Sequence, residues 1–225
     1  MKIIAHRGAS LRYPGNTFLA FDRAIDAGAE ALETDVRMSS DGRLILRHDD
    51  LIEYRGRVRP VRELSYRRLQ TISLGRRQHV PLLEELLDRY GGMIPLILEL
   101  KEPGLAEPVA RCLKDLRLEN SCEVTSFHLT ELMLLKRLSP YLPLSLALTA
   151  FPKPLAAILK EKKIRTVSLQ RSFVTRPTVQ FLRQKKIDVR VYAVNDPREA
   201  ARYFAWGVKA IFTDDPGQMT KFIRA

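Results

Sequence analysis

Only two cysteines, Cys112 and Cys122, occur in the 225 residues, which excludes a disulfide framework. No Cys/His spacing suits a structural zinc site. No apolar run approaches the roughly 20 residues needed to span a bilayer, and the opening MKIIAHRG is too short an apolar stretch for a signal peptide. A reducing, cytoplasmic setting is therefore expected. Low-complexity tracts are missing, so disorder is not indicated. The glycine-rich turn of an open nucleotide-binding sheet is missing too. Acidic residues are the minority charge: 26 Asp and Glu against 38 Lys and Arg leave a formal charge of +12. That surplus fits an anionic substrate, a nucleic-acid or membrane surface, or simply a solvated basic exterior, and the last is the default.

What the chain does have is an ordinary apolar content of 45% arranged as alternating short strands and helices. The pattern predicts strands at 2–5, 31–37, 96–100, 123–126, 144–148, 167–169, 189–194 and 210–212. Helices are predicted from Phe18 to about Gly28 and at 82–90, 105–116, 129–138, 155–162, 176–185, 197–205 and 216–224, with Asn16 or Thr17 capping the first. Ser39-Ser40-Asp41-Gly42 reads as a hairpin turn into a return strand at 44–46. Eight β/α units in series, uninterrupted by a linker, predict a TIM (β/α)8 barrel forming a single domain over residues 1–225, with a β-hairpin after strand two and a short Arg-rich insertion. Residues 51–79 look too polar and too Arg-rich for core.

Every unusual charge falls at the end of a strand, where a barrel of this kind carries its functional groups. Glu33 and Asp35 are two apart in a strand and so point the same way. Glu99 and Lys101 repeat that geometry. Three converging carboxylates raise one another's pKa unless a cation sits among them, and hard oxygen ligands favour Mg²⁺ or Ca²⁺ over zinc. The competing explanation is ion pairing with Arg7, Arg37 or Lys101, which would suffice for Glu33 alone. His6 and His48 follow strands that should be neighbours, and two histidines flanking one metal suit acid and base roles near neutral pH. Arg7 and Lys101 supply positive charge at the same mouth, as the oxygens of a phosphodiester require. His79 and His128 make weaker cases.

These motifs resemble those of the glycerophosphodiester phosphodiesterases over nearly the whole chain. His6-Arg7-Gly8, Glu33-x-Asp35, Asp41-Gly42, His48-Asp49 and Glu99-x-Lys101 stand in that family's order and approximate spacing. Ser126-Phe127, Val194-Asn195 and Thr213-Asp214 match its later, weaker markers. The resemblance implies one divalent cation held by Glu33, Asp35 and Glu99, His6 and His48 as the acid/base pair, and Arg7 and Lys101 on the phosphate. It implies hydrolysis of glycerophosphodiesters to an alcohol and sn-glycerol 3-phosphate, within glycerol and lipid metabolism. The attacker is left open between water and the glycerol 2-hydroxyl. Phe127, Tyr192 and Asn195 are further candidates for substrate contact, and Phe127, Phe151 and Phe173 for an apolar wall.

Three departures stand out. Gly15 replaces the glutamate usual in Pro-Glu-Asn-Thr, Leu51-Ile52-Glu53-Tyr54-Arg55 does not match the aspartate–arginine–threonine run common after the His-Asp pair, and Tyr192 stands where a tryptophan is common. The Arg-rich stretch 55–77 carries eight arginines with Glu63 as its one acid, so a weak contact with an anionic membrane surface is expected there. Nucleic acid is not an expected partner, and oligomeric state is left open. The alternatives are a lysophospholipase D-type lipid phosphodiesterase, favoured by acylated substrates, and an inactive barrel that only binds phosphodiesters.

Overall fold

The computed structural model of the chain describes residues 2–149, 151–152 and 154–224. Its strands in chain order are β1 (Lys2–His6), β2 (Ala31–Met38), β3 (Leu44–Leu46), β4 (Leu51–Tyr54), β5 (Arg57–Pro60), β6 (Leu96–Leu100), β7 (Cys122–Ser126), β8 (Leu144–Leu148), β9 (Thr166–Gln170), β10 (Asp188–Tyr192) and β11 (Ala210–Thr213). All but β3, β4 and β5 run parallel in the order β1-β11-β10-β9-β8-β7-β6-β2, and β1 pairs with β2 to close the ring. This is the TIM barrel that the alternation predicts, with helices between successive strands. The β2–β3 hairpin turns at Asp41-Gly42, where Gly42 has φ +75°, a left-handed conformation that glycine adopts without strain.

Alternation along each strand divides the core in two. Leu32, Val36, Leu96, Leu98, Leu100, Val124, Val167, Leu169, Val189 and Val191 face the helices in the main core. A second cluster made only of strand residues, Ile4, Ala31, Ile97, Ala210 and Phe212, fills the barrel itself. The same inward rows continue upward from Ile4 to His6, from Ala31 to Glu33 and Asp35, and from Ile97 to Glu99. Register brings His6 beside Glu33 and Asp35 beside Glu99.

Residues 51–79 differ from expectation. They form an ordered lobe on the β2–β3 hairpin, where Ile52, Val61, Leu64 and Leu69 are buried together with Val80, Leu82 and Ile45. Its apolar residues follow no single helical or strand period, so patterning does not reveal them. β4 and β5 pair through an Arg55-Gly56 turn with φ +53° and +72°, the left-handed pair that a tight two-residue hairpin uses.

Candidate active site

A cavity of about 140 Å³ opens among the strand ends and is lined by His6, Arg7, Glu33, His48, Glu99, Lys101, Thr125, Phe127, Ala147, Ser168, Tyr192 and Phe212. Glu33 and Asp35 are each 1% exposed, and one oxygen from each of Glu33, Asp35 and Glu99 lies within 4.8 Å of the others. Burial, then the charge of Asp35, pushes the Glu33 carboxyl up to about 8. Burial acts on Asp35 in the same sense, but Lys101, Arg7 and a hydrogen bond from Asn16 outweigh it and hold Asp35 below the usual carboxylate range. Lys101 Nζ sits 2.6 Å from Glu99 Oε1 and 3.4 Å from Asp35 Oδ1, and Arg7 Nε sits 3.0 Å from Asp35 Oδ2. The ion pairs weighed against a metal are therefore present, yet they do not satisfy the cluster. Glu33 Oε1 and Asp35 Oδ1 are buried without a hydrogen-bond partner, an arrangement that costs free energy unless something binds there. Three hard carboxylate donors, two of them with an oxygen that lacks a hydrogen-bond partner, fit Mg²⁺ or Ca²⁺.

Two residues whose role the sequence does not announce hold this cluster. Asn16 does not cap the helix Phe18–Asp26; Thr17 does, accepting from the Ala20 amide. Asn16, with φ +58°, instead donates to Asp35 Oδ2 at 2.8 Å and accepts from Thr34 Oγ1 and the Asp35 amide. Gly15 packs where an added Cβ would lie 3.2 Å from Arg7 Cβ and 3.3 Å from Ser10 Cβ, so the glutamate's absence goes with a close approach of the loop to Arg7.

Asp214 is the other. His6 Nδ1 lies 2.7 Å from Asp214 Oδ1, and Ser10 Oγ and Asn195 Nδ2 donate to the same carboxylate at 3.0 and 2.7 Å. Burial alone would raise the Asp214 pKa; the bonds from His6 and Asn195 overcome it and hold the group well below the carboxylate range. An ionised Asp214 can only accept, so His6 Nδ1 carries a proton and Nε2 is the free position. Burial would likewise depress His6, but Asp214 and the charge of Glu33 outweigh it and raise its pKa. Asn195 accepts from Thr213 Oγ1 and the Asp214 amide and does not line the cavity. His48 Nδ1 lies 2.8 Å from Asp49 Oδ1, and Arg37 donates twice to the His48 carbonyl.

Phe127 and Tyr192 meet edge to face at 6.2 Å, and Tyr192 meets Phe212 at 6.5 Å, forming an aromatic wall. Phe151 packs on the main core and Phe173 is exposed; neither lines the cavity. The hydroxyls of Thr125 and Ser168, both almost fully buried, line the cavity without partners. In the sequence they look like ordinary strand residues. His79 contacts the Ile72 carbonyl in the lobe and His128 precedes the helix Leu129–Leu138, so both lie apart from the cavity.

The sequence profile of the "Glycerophosphoryl diester phosphodiesterase family" matches residues 6–218. A glycerophosphodiester phosphodiesterase of Bacillus altitudinis is 29% identical over 98% of this chain and 97% of its own length. The crystal structure of a glycerophosphodiester phosphodiesterase from Agrobacterium tumefaciens superposes with a TM-score of 0.85 at 25% identity, covering 98% of this chain and 99% of that one. An Oleispira antarctica phosphodiesterase, solved with the product sn-glycerol-3-phosphate, shares the fold with a TM-score of 0.89 at 24% identity, covering 100% of this chain and 97% of that one.

Proposed function

The chain belongs to the glycerophosphoryl diester phosphodiesterase family, and on that premise we propose that it hydrolyses glycerophosphodiesters to an alcohol and sn-glycerol 3-phosphate in a divalent-cation-dependent reaction. It is an enzyme of the phosphodiesterase class, as its relatives are named. The observation that carries the finer reading is the trio Glu33, Asp35 and Glu99, the first two buried, in a cavity that His6 and His48 also line, with two carboxylate oxygens lacking a hydrogen-bond partner.

Glu33, Asp35 and Glu99 would hold the cation, and Asn16 fixes Asp35. When bound, Mg²⁺ or Ca²⁺ supplies Lewis-acid polarisation of a phosphoryl oxygen and activation of the attacking hydroxyl. Arg7 and Lys101 neutralise the non-bridging oxygens as charge builds on them. His6, in its doubly protonated form with Nδ1–H held by Asp214, gives the Nε2 proton to the leaving alcohol oxygen and is left neutral. His48 takes the proton of the nucleophile, which is water or the glycerol 2-hydroxyl. Thr125 and Ser168 offer hydroxyls to the glycerol, and Phe127 and Tyr192 exclude water on the other side. Asn195 serves the substrate indirectly, through Asp214. Among the described residues no helix is long and apolar enough to cross a membrane. We place the enzyme in the cytoplasm, with residues 55–77 as its contact with anionic lipid surfaces.

The test is release of glycerol 3-phosphate from glycerophosphocholine, glycerophosphoethanolamine and glycerophosphoglycerol, in EDTA and then with Mg²⁺ or Ca²⁺, beside Glu33→Ala. Release that EDTA abolishes, a cation restores and the variant lacks is the expected result. Cleavage of lysophospholipids alone would move the assignment to lysophospholipase D chemistry. No cleavage of either class under any cation overturns the proposal.

A further inference from the structure

The lobe formed by residues 51–79 gathers arginines around a concavity outside the catalytic cavity. Pairing of β4 with β5 sets Ile52 opposite Arg59 and Tyr54 opposite Arg57, so these four side chains share one face of the hairpin. Ile52 is buried in the lobe's small core, while Tyr54 is half-buried and Arg57 and Arg59 on the same face are exposed. The result is a concavity of about 460 Å³ lined by Tyr54, Arg55, Arg57, Arg59, Glu63, Leu64 and Arg68. Arg55 stacks on the Tyr54 ring at 5.3 Å. Among the described residues, none of Arg55, Arg57, Arg59 and Arg68 has a carboxylate within 4.0 Å. Four guanidinium groups thus share one depression with a single acid, Glu63. Like charges held together in this way raise the local potential and favour an anion that relieves it. Guanidinium groups match phosphate oxygens with paired N–H donors. No residue lines both this groove and the catalytic cavity.

We propose that this groove is a phosphate-binding site separate from the catalytic centre, taking the phosphate group of a lipid headgroup or of a free phosphorylated metabolite. On the hairpin's other face stand Val58, 68% exposed, Leu51, 46% exposed, and the exposed acid Glu53, so that face does not select between the two sources, and the two arms of the experiment do.

The experiment uses the full chain in EDTA, at about 0.15 M salt. One arm measures sedimentation with vesicles of phosphatidylglycerol in phosphatidylcholine against phosphatidylcholine alone. The other titrates inorganic phosphate and sn-glycerol 3-phosphate calorimetrically. Each is run on the wild type, on Arg57→Gln/Arg59→Gln, on Lys101→Met to remove the catalytic phosphate contact, and on Lys160→Gln/Lys186→Gln, which removes the same charge from exposed positions elsewhere. The groove variant should bind anionic vesicles about 25-fold more weakly, at roughly fivefold per arginine near such a surface, with the lysine control close to wild type. Cation-supported hydrolysis of glycerophosphocholine should be unchanged in the groove variant. Loss of a soluble-phosphate binding step in the groove variant alone, persisting in Lys101→Met, supports the site with a free metabolite as its ligand. Equal losses in the groove and lysine variants, or no loss in either arm, overturns the proposal. Because the two binding arms require no turnover, their failure is distinct from a failure of the catalytic assignment.

Discussion

Replacing Glu33 by glutamine should stabilise the protein without metal and cripple it with metal. Glu33 is fully buried, and its carboxyl is pushed from 4.5 up to about 8. Without a cation the native state therefore holds a proton at pH 7 that the unfolded chain has released. Keeping it neutral costs about 3 kcal/mol, at ~1.36 kcal/mol per pH unit over the interval between 4.5 and 7. The sign follows from proton binding: an acid whose native pKa is raised gives most stability at low pH, and that stability is lost as pH rises from about 4.5 to about 8. Glutamine removes the titration and keeps an acceptor for the Arg7 amide, which donates to Glu33 Oε2 at 3.0 Å. In EDTA at pH 7, Glu33→Gln should be more stable by about 3 kcal/mol, or roughly 6–12 °C in Tm for a chain of this size. The advantage should shrink towards pH 5. His6 contributes a trend of the same direction, smaller in Glu33→Gln because the Glu33 charge that helps raise its pKa is gone. Saturating Mg²⁺ reverses the order, since a ligand at about 1,000 times its Kd adds roughly 4.1 kcal/mol to the wild type and little to the variant. Urea unfolding across pH 5–8, with and without cation, reads all of this. Parallel pH curves for the two proteins in EDTA, or a glutamine variant no more stable than wild type at pH 7, would refute the reasoning.

Three further outcomes follow from the same geometry. Asp214→Asn should lower kcat/KM by about 100-fold, within the range of acid–base contributions, and move the alkaline limb of the pH profile downward, because the group that raises His6 is gone; an unmoved limb would leave Asp214 a purely structural role. Thr125→Val and Ser168→Ala should each raise KM for glycerophosphocholine roughly 5–10-fold, the worth of about one hydrogen bond, while leaving cleavage of bis(p-nitrophenyl) phosphate, which lacks glycerol, unchanged; equal losses on both substrates would remove them from the glycerol. Asn16→Ala should raise the cation concentration for half-maximal activity about 10-fold or more, as loss of a ligand's supporting hydrogen bond does, with kcat at saturating cation much less affected; a lost kcat at saturation would count against that role.

The barrel and the core of its site are local properties of the sequence. The eight parallel strands and the helices between them come from short-range periodicity, so they are legible within a few residues of each boundary. Glu33 and Asp35, and Glu99 and Lys101, can be placed side by side because strand geometry puts residues two apart on one face. His6 and His48 needed only the inference that their strands lie close together. Asp214 shows the limit of that reasoning. It bonds His6 across 208 positions of sequence, and only closure of β1 against β11 brings the two together. Asn16 carries the composition of a helix cap, and its real partner, Asp35, is set by a left-handed turn no pattern records. The lobe at 51–79 hid its core because its apolar residues converge from separate elements rather than along one face, and its arginines acquire a shared groove only through the register of β4 on β5. Sequence determined which residues bear charge at each strand end; closure of the ring, register and loop path decided which of them face one another, since those depend on contacts between segments distant in the chain.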